Sequence, residues 1–322
     1  MTVLVTGASG FVGRHVVAEL QRRSIKVRVA RRANGSYSVS DSGLEVLALP
    51  GSGIAPADWA DLVEGCQAVI HLAARAHVLQ DSHEDPTQAF RMANVDFARA
   101  CAEAAARAGV GRFIFMSSVG VYGGTSGAQP FRIDSELAPH TPYARSKADA
   151  ESALVEVVSR SDMALTVIRP PLVYGHGAPG NFGTLVRALK RGWPLPFGSV
   201  TGNRRSFVAV DNLVDMVITC LDHPAATNQF FLVSDGEDLS TADLLRRLGA
   251  AMGRPARLLP VPMRVLALGA KLLRKPEMFQ SLCGSLQVDM GKTRELLGWH
   301  PPIGVDEGLK RAVGVSGVDA PL

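Results

Sequence analysis

Seven short runs of apolar and β-branched residues punctuate the first 235 residues of the chain, and amphipathic stretches separate them. The runs are TVLVTG (2–7), KVRVAR (26–31), LEVLAL (44–49), AVIHLAA (68–74), RFIFMSS (112–118), ALTVIRP (164–170) and QFFLVSD (229–235). Most are nearly continuous in apolar character, which is how strands covered on both faces of a parallel sheet read. Between them, apolar positions recur with helical spacing over residues 11–23, 90–108, 142–159 and 212–221. The alternation predicts an α/β fold, a doubly wound parallel sheet of about seven strands. After Pro170 the rhythm loosens into Gly/Pro-rich segments and helices. The chain is therefore expected to divide into residues 1–174 plus 205–235, carrying the sheet, and a smaller, mostly helical part of residues 175–204 plus 236–322.

The first run leads directly into Gly7-Ala8-Ser9-Gly10-Phe11-Val12-Gly13 and then a helical pattern. Three glycines allow a tight turn, close approach of backbone to a pyrophosphate, and close helix–strand packing, while the helix start offers free N–H groups. That placement points to a dinucleotide. At the end of the second run, where an acidic residue would favour NAD through the ribose hydroxyls, the chain reads Val29-Ala30-Arg31-Arg32. Two guanidiniums suit a 2′-phosphate, so the expected cofactor is NADP or NAD, with NADP slightly favoured.

Composition adds mainly exclusions. A net charge of +4, from 34 Lys and Arg against 30 Asp and Glu, is too weak to imply a nucleic-acid partner. Cys66, Cys101, Cys220 and Cys283 show no metal spacing and are expected to be reduced core residues, and His15, His71, His77 and His83 show none either. With no signal-peptide pattern and no uncharged stretch of about 18 residues, the expected location is cytoplasmic.

The fifth run ends in Ser117-Ser118, and 25 residues after Ser118 stands Tyr143, within Thr141-Pro142-Tyr143-Ala144-Arg145-Ser146-Lys147. Thr141 suits an N-cap and Pro142 the first helical position, which puts Tyr143 and Lys147 on one helical face. Hydride transfer at a carbinol carbon needs a group that exchanges the hydroxyl proton. A phenol with a pKa of about 10 needs a nearby positive charge to do so near neutrality. Ser118 would fix the substrate oxygen.

These motifs carry a family resemblance. TGASGFVG (6–13), HLAA (71–74), Asn94 in NVDFARA, FMSSVGVYG (115–123), YARSK (143–147), IRPPLVYG (168–175) and RRSFVAVDNLVD (204–215) resemble the extended short-chain dehydrogenase/reductases. Within them, the likeness is to the UDP-galactose 4-epimerase-like nucleotide-sugar enzymes. The resemblance implies a Rossmann cofactor domain over the larger part and a substrate domain over the smaller. It implies Ser118, Tyr143 and Lys147 as the catalytic set. Gly7, Ser9, Gly10, Phe11, Val12, Gly13, Leu72, Ala73, Ala74, Arg169 and Pro170 would contact the cofactor, with Tyr143 and Lys147. Asn181 and Arg205 would join Ser118 and Tyr143 as ligands of a nucleotide-sugar substrate.

Dehydratases of this family carry Asp-Glu directly after the active-site serine or threonine. Val119 and Gly120 stand there and cannot move protons. A 4-keto-sugar reductase and a 4-epimerase remain, acting on a UDP-hexosamine type of sugar in surface-polysaccharide synthesis. Arg31-Arg32 tilt the expectation slightly toward the reductase, and a polyprenyl-diphosphate-linked sugar is a further possible substrate of the epimerase. A non-catalytic NAD(P)-sensing protein is the rival from another class. The register at which relatives place a diphosphate-binding arginine holds Met278, with Arg274 and Lys275 nearby. The helix over residues 90–108 implies a homodimer. Residues 254–275 carry six Lys or Arg and no acidic residue among many apolar ones. A proline-broken hairpin packed into the substrate domain is the expected outcome, and weak contact with an anionic membrane surface the alternative.

Overall fold

The computed structural model describes residues 1–32, 44–49, 54–76, 86–274 and 276–314. All seven apolar runs become strands of one parallel sheet. These are β1 (Thr2–Thr6), β2 (Lys26–Arg32), β3 (Leu44–Leu49), β4 (Ala68–His71), β5 (Arg112–Met116) and β6 (Ala164–Arg169), with Gln229–Leu232 as the last. Two short strands in between, β7 (Leu172–Tyr174) and β8 (Phe207–Ala209), pair with each other in a separate parallel ribbon, so the last sheet strand is β9. The sheet order is β3-β2-β1-β4-β5-β6-β9. It reverses direction of build between β1 and β4, the crevice where such sheets bind ligands.

Helices cover both faces. They are α1 (Phe11–Arg22), α2 (Ala60–Val63), α3 (Pro86–Phe90), α4 (Phe97–Arg107), α5 (Pro142–Val158) and α6 (Gly180–Lys190). The rest are α7 (Val210–Asp222), α8 (Thr241–Ala251), α9 (Met263–Leu272), α10 (Pro276–Cys283), α11 (Gly291–Leu297) and α12 (Val305–Val313). Alternate residues of each strand serve opposite layers, so a continuous apolar run is required. Val3 and Val5 pack with Val16, Leu20 and Val217 of α1 and α7. Leu4 and Val69 pack with Ala98, Cys101 and Leu154 of α4 and α5. A third apolar cluster joins Tyr174 and Phe207 of the ribbon to α6, α8 and α12.

All four cysteines are buried and free. Trp59 and Trp299 are core residues, whereas Trp193 is 55% exposed. The continuous helix expected over residues 90–108 is instead interrupted by a π-helical turn, Arg91–Asp96. Among the described residues, no helix is long and apolar enough to cross a membrane.

His71 sits fully buried in β4 against Phe97, Phe113 and Phe115 at ring separations of 5.8, 5.7 and 5.9 Å. Neither ring nitrogen has a hydrogen-bond partner. Burial, reinforced by the Lys147 charge, holds its pKa down at about 3 against an ordinary 6.5. Between those values the unfolded chain binds a proton that the folded chain refuses, so His71 removes stability as pH falls from 6.5 toward 3, by about 1.4 kcal/mol per pH unit. His71→Leu is expected to keep or raise stability at pH 7 and to flatten the acid limb of the melting-temperature profile. An acid limb as steep as that of the unaltered protein contradicts this account.

Candidate active site

Gly7 opens the loop after β1 with φ +68°, and a Cβ there would stand 2.6 Å from the backbone nitrogen of Ala73. At Gly13 a Cβ would come within 2.1 Å of the Gly7 carbonyl oxygen. Any side chain at either position would push apart β1, the end of β4 and α1. Gly10 is the N-cap of α1, with no side-chain cap and no acidic residue in the first turn. Its leading N–H groups and positive dipole end are therefore left for an anion. Ser9 and Gly10 are exposed, and Phe11, Val12, Leu72 and Ala73 half-buried, around this cradle, with Ala74 exposed beyond it. The residues present fit a dinucleotide. Arg31 lies exposed near the end of β2, paired in register with Ala48 of β3. The Arg32 side chain, residues 51–53, His77, His83 and Lys275 lie outside the described residues.

β5 delivers two serines with opposite fates. Ser117 is buried and donates to the Glu151 carboxylate. Ser118 is half-buried, and its Oγ accepts the Gly120 N–H at 3.1 Å, starting a short 3₁₀ turn, Val119–Tyr122. Thr141 caps α5 through the Ala144 N–H at 3.1 Å, and Pro142 occupies the first turn, as its sequence predicts. A methyl placed on Gly120 would lie 3.3 Å from Ser118 Oγ and 3.6 Å from Ala144 Cβ, so the serine and the start of α5 adjoin. Asn94, in the π-helical turn, accepts the Arg75 N–H at 2.7 Å and donates to Ser146 Oγ at 2.8 Å. Ser146 in turn donates to the Tyr143 carbonyl at 2.8 Å. The π turn thus ties the end of β4 to the tyrosine's own backbone.

Lys147 is buried, its Nζ 2.7 Å from the Met116 carbonyl and 4.5 Å from the centre of the Phe115 ring. Burial pulls its pKa down to about 7, against the opposing pull of Glu151. Burial also pushes the Tyr143 phenol up to about 12. The lowered phenol pKa expected from the neighbouring ammonium is thus outweighed by desolvation in the protein alone.

Glu151, one turn beyond Lys147 on α5, was not singled out by the sequence. It receives Arg169 through Nε at 3.0 Å and Nη2 at 2.6 Å, with side-chain exposures of only 4% and 6%. Arg169 also donates to the Tyr122 hydroxyl, which donates to the Ile133 carbonyl at 3.2 Å. The Arg169 guanidinium is thereby committed inside the protein, and only the backbone of Arg169 and Pro170 is left to face a cofactor. The Pro170 carbonyl already accepts the Val119 N–H at 2.9 Å. The signal available in the sequence was spacing: positions 143, 147 and 151 share one helical face.

Asn181 and Arg205 meet at a second place. They line a cavity of about 20 Å³ with Phe182, Phe207, Ser281 and Leu282, enough for about one water. Asn181 donates to Ser281 Oγ at 3.0 Å, and Arg205 to the Gly284 carbonyl at 2.9 Å. Arg205 is 7% exposed and its Nε has no partner. Among the described residues no carboxylate pairs with it, and burial lowers its pKa to about 10. Helix α10 links the two places: a Cβ on Gly124, just after the Ser118 turn, would touch Gln280 at 2.8 Å, while Ser281 and Leu282 line the cavity. Met278 of α10 is 40% exposed and offers no cation there.

A glycine-lined anion cradle at the switch point of a parallel sheet, with Ser118 after β5 and Tyr143 and Lys147 on the adjoining α5, is the arrangement of a dinucleotide-dependent enzyme of the extended short-chain dehydrogenase type. The chain belongs to the NAD dependent epimerase/dehydratase family, whose model matches residues 3–233. It is 42% identical over 314 residues to a UDP-glucose 4-epimerase of Vibrio cholerae, covering 96% of this chain and 94% of that protein. It is 28% identical to the N-acetyl-alpha-D-glucosaminyl-diphospho-ditrans,octacis-undecaprenol 4-epimerase of Escherichia coli O157:H7, covering 77% of each. The crystal structure of a Thermotoga maritima UDP-glucose 4-epimerase with UDP-glucose superposes with a TM-score of 0.78 at 23% identity, over 98% of both chains.

The buried pair provides a test of how the site is held. Glu151→Ala strands the Arg169 guanidinium in a water-free interior and is expected to cost about 3–5 kcal/mol in urea unfolding. A loss below about 1 kcal/mol would show that the pair carries no such role.

Proposed function

We propose that the protein is a sugar 4-epimerase, moving hydride off and back onto C4 of a sugar carried on a diphosphate, of the UDP-hexosamine type. The observation that carries this reading is the juxtaposition across α10 of a proton-handling set with a buried, unpaired cation. One place handles the reacting hydroxyl and the other an anionic leash on the same substrate. The 42% identity with the Vibrio cholerae UDP-glucose 4-epimerase supports epimerisation over the reductase reading that Arg31 and Arg32 had favoured.

In this reading Tyr143 takes the C4 hydroxyl proton as hydride leaves that carbon, and returns it when hydride comes back on the other face. Ser118 holds the C4 oxygen between the two events, so that only the sugar's facial presentation changes. Lys147, pinned by the Met116 carbonyl one helical turn from Tyr143, supplies positive charge in its protonated form. Asn181 and Arg205 border the diphosphate, which needs more room than the one-water cavity of the protein alone, and Arg205 then gains the counter-charge it lacks among the described residues. Residues 7–13, with the end of β4, hold the dinucleotide. When bound, the nicotinamide supplies the hydride acceptor, and its oxidised ring adds the positive charge that favours the phenolate.

The reductase is the second reading, favoured by the exposed Arg31 at the position suited to a 2′-phosphate. The nucleotide released on denaturing the purified protein separates the two: near-stoichiometric NAD is expected for an epimerase, and an empty site refilled by NADPH overturns it. Tyr143→Phe is expected to lower kcat by about 10²–10⁴-fold, with KM for the UDP-sugar little changed. Turnover that survives this substitution removes the assignment.

A further inference from the structure

Helix α9 inverts the usual arrangement of a surface helix. None of its ten residues is buried, whereas residues 257–259 just before it pair with Leu195 and Gly198. Its half-buried positions, Leu266, Gly269 and Ala270, lie at i, i+3 and i+4 and make the face turned to the protein. Val265, Leu268 and Leu272 project elsewhere, with exposures of 55%, 58% and 75%. At about 100° per residue these three fall within roughly 60° of arc. Leu273, at 68%, extends the patch past the helix end. Arg264 and Lys271, both exposed and seven residues apart, run along one edge of this stripe.

We propose that this face of α9 docks on an anionic membrane surface, with the leucine stripe in the headgroup–acyl boundary and the flanking cations on lipid phosphates. An apolar stripe edged by basic residues is the pattern that lies in such an interface. Charge selects the occupant. Residues 254–275 hold six cations and no carboxylate, so two copies meeting through this face would set their cations against each other. A phosphate-bearing bilayer neutralises them. The position also suits a sugar diphosphate borne on a lipid: α9 packs on α10, and α10 carries Ser281 and Leu282 of the Arg205 cavity. Docking holds that cavity at headgroup level, where a sugar diphosphate on a lipid carrier presents its charge. The docking does not depend on which sugar chemistry follows.

Co-sedimentation of the full chain with vesicles tests the proposal, using phosphatidylcholine alone and mixed equally with phosphatidylglycerol. Retention on the anionic vesicles only, weakening as salt is raised, is expected. Arg264→Gln with Lys271→Gln should weaken it roughly 30-fold, and Leu268→Glu with Leu272→Glu should abolish it. All four positions are exposed, so melting temperature and turnover of a soluble UDP-sugar without vesicles should be unchanged. Absent retention, or retention indifferent to both pairs of substitutions, overturns the proposal. So does light scattering in which the Leu268/Leu272 pair dissociates an oligomer, since the face then meets a second copy. Loss of sugar turnover in the unaltered protein strikes the proposed reaction alone.

Discussion

The Glu151 carboxylate and the Arg169 guanidinium share a space that water does not reach, and the candidate site is arranged around them. Neither charge tolerates that space alone, so the two must approach closely. Arg169 ends β6, and Glu151 lies on α5 one turn beyond Lys147. Ser117 and Tyr122 bind the same pair from β5 and the 3₁₀ turn. The rotation of α5 about its axis is fixed by this contact, and with it the direction in which Tyr143 and Lys147 emerge. Ser118 inherits its place from Ser117: adjacent strand residues face opposite ways, so an inward Ser117 turns its neighbour toward the cleft.

Seclusion shifts Tyr143 and Lys147 in opposite directions. It raises the phenol to about 12 and lowers the ammonium to about 7, so both drift toward neutrality. A phenolate near neutral pH requires more positive charge than Lys147 supplies.

Legibility from sequence followed the range of the interactions involved. The seven strands, the Thr141 cap and the glycine loop are each written in one short segment of sequence, and each stood where its pattern placed it. Glu151 read as one more polar residue on a helix, because its partners lie 18 and 34 positions away. The π turn escaped for the same reason: Asn94 answers to Arg75 and Ser146, 19 and 52 positions distant. In α9 the composition was plain but its direction was not. Leucine content says that a helix prefers company, and only Leu266, Gly269 and Ala270 show which side already has it.

Arg205 carries a consequence for the protein's endurance. A buried cation without a counter-ion among the described residues is half of an ion pair. Any anion that seats there completes it and is bound by the folded form only, so heat tolerance is tied to ligand concentration. If the proposed sugar diphosphate is that anion, its supply would bear on the lifetime of the polypeptide as well as on its traffic. Starved of that molecule, the chain is easier to unfold and to degrade.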